Sequence, residues 1–165
     1  MATGRTPSKF FKFQVDDSGG VVRDIPVSTI NGVGLDYGGQ DMTALQDAIK
    51  SVLPEIPDLE ITISGPVDNT VVQAASGTGA APALSGSHTV LSPINGLLIP
   101  LTLGVYLGIR AHWATGDPAF GLTSSASSGF LCMSYIVNPA DMTYEAKFKV
   151  FPGSSVPAWG TAAYT

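Results

Sequence analysis

A single cysteine, Cys132, in 165 residues has no partner for an internal disulfide, so no oxidised scaffold holds this chain. Charge is scarce as well. Only 13% of the residues are Asp, Glu, Lys or Arg, roughly half the usual share. The scarcity is uneven: residues 69–140 hold only Arg110 and Asp117, while residues 1–68 hold ten acids and five bases and with them the whole net charge of −5. There is no Lys/Arg cluster and the isoelectric point is near 4.7, which argues against a protein that grips nucleic-acid phosphates. Long hydrophobic runs are missing too. The most apolar stretch, Leu97–Ile109, has 13 residues, too few to cross a bilayer as a helix. Met1 to Phe13 has basic residues but neither an apolar core nor a small-residue cleavage site, so no secretory signal is read there.

Chemistry-bearing motifs are equally thin. The two histidines, His88 and His112, lie in neither a Gly-x-Ser-x-Gly nor a His-Glu-x-x-His setting and read as turn or surface residues. Gly32-Val33-Gly34 is followed by Tyr37 where a dinucleotide loop needs its third glycine, and no Gly-x-x-x-x-Gly-Lys phosphate loop exists. Asp16-Asp17 lacks the regular acid spacing of a calcium loop. Cys132 sits in an apolar run and reads as a buried, inert thiol. The expectation is therefore of no catalytic, cofactor-binding or metal-binding residues, no cofactor and no enzyme activity.

What is present is strand periodicity over one domain, residues 1–165. Met142, Tyr144, Ala146, Phe148 and Val150 alternate with Thr143, Glu145, Lys147 and Lys149, a strand with one buried and one wet face. Leu59, Ile61 and Ile63 repeat the pattern against Glu60, Thr62 and Ser64, as do Phe11, Phe13 and Val15 against Lys12 and Gln14. The longest strand expected runs from Leu97 to Arg110, aliphatic at every odd position to Ile109, with Pro100 marking an edge, bulge or break. Gly129–Val137 is apolar on both faces and reads as a central strand covered on both sides. One helix competes with this β pattern. Thr43 and Gln46 form a capping box, with Leu45, Ala48, Ile49, Val52 and Leu53 at helical spacing and Pro54 as the stop, which predicts a helix over Ala44–Leu53. A shorter turn is read at Ser87–Ile94, weakened by Pro93. Turns are expected at Asp16–Gly20, Asn31-Gly32 and Asn95-Gly96, loops at Ala74–Ser87 and Ser124–Ser128. The tail Phe151–Thr165 has no packing pattern of its own and is expected to need a neighbour to become ordered.

The order of these pieces resembles the small tail tube proteins of long-tailed bacteriophages. It is carried by Lys9-Phe10-Phe11-Lys12-Phe13, Val15–Gly20, Arg23-Asp24-Ile25, Asp41-Met42-Thr43, Leu59–Gly65 with Asp68, Gly86–Leu91, and the closing strand Tyr144–Phe151, about residues 8–152 in all. The resemblance implies a mainly β fold, a β-sandwich or barrel with one short α-helix, assembled as six-subunit rings stacked into a tube. In such tubes strands of neighbouring subunits continue one another's sheets, and DNA passes as cargo without being held. The partners so implied are further copies of the chain and other tail proteins, with no membrane, and the location is the virion tail. A lumen of acidic and neutral polar groups keeps phosphates mobile, and the net charge of −5 is compatible with that.

Three sets of residues follow as expectations. Leu97, Ile99, Leu101, Leu103 and Val105 are candidates for an inter-subunit strand, because charge-free strands need protected edges. Asp36, Tyr37, Asp41 and Asp47, in the acid-rich segment Gly32–Pro57, are candidates for the ring-to-ring contact, with the tail as second choice. Glu60, Thr62 and Ser64 are candidates to face the lumen. The N-terminal segment 1–8 and the tail 152–165 are expected to pack on neighbouring subunits. Two rival readings are a capsid decoration or cement protein and a small-ligand-binding β-sandwich. For the latter, Trp113 and Phe120 are the only aromatic pair in one loop.

Overall fold

The computed structural model describes residues 11–70, 83–107 and 117–161. Twelve strands and one helix follow in order: β1 (Phe11–Asp16), β2 (Val22–Ile25), β3 (Thr29–Asn31), β4 (Gln40–Asp41), β5 (Val52–Leu53), β6 (Glu60–Pro66), β7 (Ala83–Leu84), α1 (Ser87–Ile94), β8 (Leu103–Leu107), β9 (Pro118–Leu122), β10 (Phe130–Asn138), β11 (Thr143–Val150) and β12 (Ala158–Thr161). Two sheets form the body. One has six strands in the order β12-β9-β8-β1-β2-β7, the other four in the order β10-β11-β6-β3, and β4 pairs only with β5. All pairings are antiparallel except β2 with β7.

Period-two alternation builds both sheets and turns their apolar faces together. Phe13, Val15, Leu103, Val105 and Phe120 come from the first sheet, and Ile61, Ile63, Phe130, Tyr144, Ala146 and Phe148 from the second; all are buried in one cluster. Each large side chain so buried contributes about 1.5–3 kcal/mol. The expected mainly β sandwich with one short helix is the fold observed.

The helix is not where the sequence predicts it. Residues 44–51 form turns and bends, and Val52–Leu53 is strand β5. The stripe of Leu45, Ile49, Val52 and Leu53 is exposed, so it lacks the tertiary packing that supplies most of a short helix's stability. The helix is instead α1, where Val90, Leu91 and Ile94 are buried against the core. Pro93 lies in its last turn, where a missing N–H loses a single bond. The helix start is pinned to the end of β6: the Ser87 hydroxyl donates to the Pro66 carbonyl at 2.7 Å and accepts from the Asp68 N–H at 3.1 Å. Gly86 permits this approach, because a Cβ there would overlap the Asp68 carbonyl.

Four further expectations change. The long strand begins at Leu103 rather than Leu97: residues 97–100 form a loop after α1, and Leu101 touches Phe130 through an isolated bridge. Pro100 is the break, having no N–H for a ladder. In β10 both faces are covered only over Phe130, Leu131 and Cys132; beyond a bulge at Met133, that residue and Ile136 are exposed. In β1 the supposed wet face is buried at Gln14 and Asp16, because the Asp16 carboxylate accepts the Thr102 N–H at 2.7 Å and the Ser124 hydroxyl at 3.2 Å. The tail is seated on its own chain: β12 pairs with β9, and the Trp159 ring lies 5.1 Å from that of buried Phe120. Phe120 is thus a core residue rather than a loop aromatic, which removes the ligand-binding mark. Segment 1–8, Lys9, Phe10, residues 74–82 and 108–110, His112, Trp113 and residues 162–165 lie outside the described residues.

Candidate assembly surfaces

Between β3 and β6 the chain leaves the sandwich as a two-stranded arm. Gly32 opens it with φ +80°, at a point where a Cβ would overlap the Glu60 carbonyl. A ladder then climbs from an Asp36–Asp58 bridge through Glu55 N–H to Tyr37 O (2.9 Å), the Gln40–Leu53 and Asp41–Val52 pairs, and Met42 N–H to Ser51 O (2.9 Å). Thr43 clips the top: its hydroxyl oxygen accepts the Ser51 N–H at 2.8 Å. In the tip, Ala44 N–H donates to the Asp47 carboxylate at 2.7 Å, and Asp47 N–H donates to the Ala44 carbonyl at 3.0 Å. The Thr43 hydroxyl and N–H hold the Asp41 carboxyl below the usual carboxylate range. From Asp36 to Thr43 the ribbon spans at most about 23 Å, the reach of fully extended chain at ~3.3 Å per residue.

Every residue from 36 to 56 is exposed, yet the arm carries Tyr37, Met42, Leu45, Ile49, Val52, Leu53 and Ile56. Leu45 and Ile49, at the tip, are 105% and 80% exposed. A free two-stranded ribbon is marginal by itself, and an apolar set of this size left in water marks a contact surface. Asp36, Tyr37, Asp41 and Asp47 all stand on this arm.

A second surface is the free edge of β10. Leu101 covers its start through two backbone bonds with Phe130 (2.9 and 2.8 Å), and Gly96 N–H donates to Cys132 O at 3.0 Å. From Ser134 to Asn138 no further strand follows in the sheet among the described residues. This edge has no charged side chain and exposes Ile136, which makes it open to strand addition.

The third surface is the outer face of the four-stranded sheet. Glu60, Thr62 and Ser64 lie there, paired with Lys149, Lys147 and Glu145 of β11. Glu60 bridges both lysines, at 3.8 Å to Lys147 and 3.6 Å to Lys149. Thr29 faces Ser64, and their hydroxyls are hydrogen-bonded. Two acids and two lysines leave this face neutral rather than acidic.

The expected inter-subunit strand is placed differently. Leu101, Leu103 and Val105 are buried in the chain's own core, and β8 is flanked on both sides by β1 and β9. Its edges are therefore taken within the chain, while Leu97 and Ile99 fall in the preceding loop. The sequence reading missed the β10 edge; its signal was an uncharged strand with Met133 and Ile136 out of phase with a two-sided core. It also missed the lysines opposite Glu60, because register between distant strands is not visible in one strand's alternation.

Among the described residues no group of His, Cys, Asp or Glu is arranged to hold a metal, and no helix is long and apolar enough to cross a membrane. The Cys132 thiol is buried and its pKa is pushed up to about 12 by that burial, despite its bond to the Ser134 carbonyl.

No family model and no curated protein matches this chain. Solved structures do. The cryo-EM structure of the anti-feeding prophage cap, a tube-terminating cap, superposes with a TM-score of 0.61 at 10% identity, over 98% of this chain and 95% of that one. The sheath/tube terminator of an extracellular contractile injection system, PVC, in its extended state gives 0.59 at 10% identity, over 97% and 99%. The PVC sheath–tube complex in the extended state gives 0.55 at 9% identity, over 96% and 93%. The chain has the fold of these phage tail-like tube components, along its whole described length.

Proposed function

We propose that this protein is a structural subunit of a phage tail-like tube, built from copies of itself as stacked hexameric rings in a virion tail. The observation that carries the reading is the arm over residues 36–56, exposed at every residue, carrying seven large apolar side chains and, among the described residues, paired with the body at its root. Such an arm is an unmade contact, and a heterologous contact between identical copies closes into rings or continues as a filament. Support comes also from the uncharged edge of β10, where a neighbour's strand extends the sheet, and from the fold shared with tube components at 95% or more of their length for the first two.

In this reading the face carrying Glu60, Thr62 and Ser64 lines the lumen. Its two lysines are balanced by Glu60 and Glu145, so passing DNA meets no net positive surface to hold it. The role is structural rather than enzymatic, and the partners are further copies and other tail proteins. A second reading is favoured by the two neighbours that terminate tubes: a cap whose ring ends the tube instead of repeating. Sedimentation velocity of the full chain over a concentration series tests the proposal. Mass growing in steps to large assemblies fits a repeating tube subunit, a species stopping at one ring fits a cap, and a monomer at every concentration refutes both.

A further inference from the structure

The two ends of the four-stranded sheet are different surfaces. At one end Glu60 pairs with Lys149, and the arm leaves there as a continuation of the β3–β6 pair. At the other end Pro66 pairs with Thr143, about 20 Å away at ~3.3 Å per residue, and the turn between β10 and β11 closes the sheet. Asn138 through Met142 are all exposed in that turn. Met142 is the one described residue other than glycine in the left-handed region, with φ +54°, where an ordinary side chain is uncommon. Its carbonyl is fixed by the Val67 N–H at 2.9 Å, and its side chain is 55% exposed. An unfavourable backbone thus holds an apolar group out in water, and strain of this kind gathers at functional contacts.

Ring geometry decides what meets this turn. Strands β10 and β3 are the outer strands of the sheet, with no further strand beyond either among the described residues. Neighbours that extend the sheet at both edges close it into a barrel, whose strands run within about 35–45° of the barrel axis. The strand ends therefore form the two faces of the ring, with the arm on one face and the β10–β11 turn on the other. Identical rings stacked head to tail bring unlike faces together. The arm is exposed at every residue, so it runs beyond its own sheet rather than back over it, and in a stack it reaches the turn face of the next ring.

We infer that the β10–β11 turn, centred on Met142, is the docking surface for the arm of a copy in the next ring. This rests on the reading of the chain as a repeating tube subunit and names the surface that receives the arm. The apolar side chains carry the contact. Charge opposes it, since Asp141 stands in the turn and the arm has four acids against Lys50, so screening by salt strengthens it.

Photo-cross-linking tests this on the full chain. Met142→p-benzoylphenylalanine places the probe at an exposed position, and an isotope-labelled copy of the unaltered protein marks cross-links between chains. The expected products join residue 142 of one chain to the segment 36–56 of another. A second variant, Met142→Gly, removes the side chain and suits the backbone. It is expected to raise the denaturation midpoint of the isolated chain while raising the concentration needed for stacking at least tenfold. Large assemblies in which the probe marks only other segments overturn the docking and leave the assembly reading intact. Stacking by Met142→Gly at the unaltered concentration overturns the docking too. An unaltered protein that stays monomeric at every concentration and salt level overturns both.

Discussion

Phe13 of β1 and Phe148 of β11 meet across the sandwich, their ring centroids 5.5 Å apart and their planes tilted by 47°. Each is fully buried, and each sits at the middle of its own sheet. The pair therefore joins the two sheets at their centre. Replacing Phe148 with Ala leaves a cavity that neither sheet can close and is expected to cost about 3–5 kcal/mol. That is a large part of a domain's total stability. Chemical denaturation measures it; a loss below about 1 kcal/mol would mean that the sheets do not pack here.

Asp17 closes the turn between β1 and β2. Its carboxylate accepts Gly19 N–H at 2.9 Å, Val21 N–H at 3.0 Å and Arg23 Nε–H at 2.9 Å. Burial raises its pKa, but these donors outweigh burial and hold it below the usual carboxylate value. A depressed folded value gives stability that is present above the unfolded pKa of about 3.9 and is lost as pH falls through the folded value. Asp17→Asn is expected to be destabilised by about 1 kcal/mol at neutral pH, a modest figure because the site is partly solvated. The difference from the unaltered protein should vanish in acid below the folded value. Denaturation at a series of pH values reads this, and a difference independent of pH contradicts it.

Cys132 is expected to be silent. With its pKa near 12, about one thiol in 10⁴ is ionised at pH 8. An aromatic disulfide reagent should label it only after denaturation. Labelling of the folded protein within minutes would show that the start of β10 opens readily.

The arm tip is expected to matter for assembly and not for folding. Leu45→Ser with Ile49→Ser removes side chains exposed to water, so the change in the isolated chain's stability should stay within about 0.5 kcal/mol. The same pair should abolish large assemblies in sedimentation. A strongly destabilised variant would mean that the tip packs on its own chain.

Glu60 is expected to keep the outer sheet face from holding DNA. Glu60→Lys turns that neutral face positive beside Lys147 and Lys149. The variant should be retained on immobilised duplex DNA with strong salt dependence, while the unaltered protein passes through. Equal retention of both would contradict the role given to this face.

The sheets were legible in the sequence where one face is core and the other water. Strands β6 and β11 follow their alternation, with Ile61, Ile63, Tyr144, Ala146 and Phe148 buried as the pattern says; Met142 departs from it, exposed with φ +54° in the turn before β11. Legibility failed where a pattern was satisfied by something distant. Asp16 looks like a wet-face residue until Thr102 and Ser124, far along the chain, are seen to cover it. Thr43 through Leu53 obeys helix rules in every local respect, but a helix needs a surface to pack on and the chain provides none there. Its apolar stripe, drawn by the sequence toward a core, stands on the arm as a contact surface. The same four acidic and aromatic candidates, Asp36, Tyr37, Asp41 and Asp47, fall on that arm because the segment is polar, turn-rich and flanked by strands. The β10 edge was missed because an uncharged strand apolar on both faces reads as a central one, and strand order within a sheet is not fixed by one strand's residues.

The central claim is that this chain works as an assembly of copies joined through the arm. Electron microscopy of the purified full chain, alongside the Leu45→Ser, Ile49→Ser pair, tests it most directly. The unaltered protein is expected to form hollow rings or tubes with a central channel, and the double variant folded single subunits or isolated rings that do not stack. Uniform monomers of the unaltered protein, or tubes that form equally well without the two tip side chains, would contradict it.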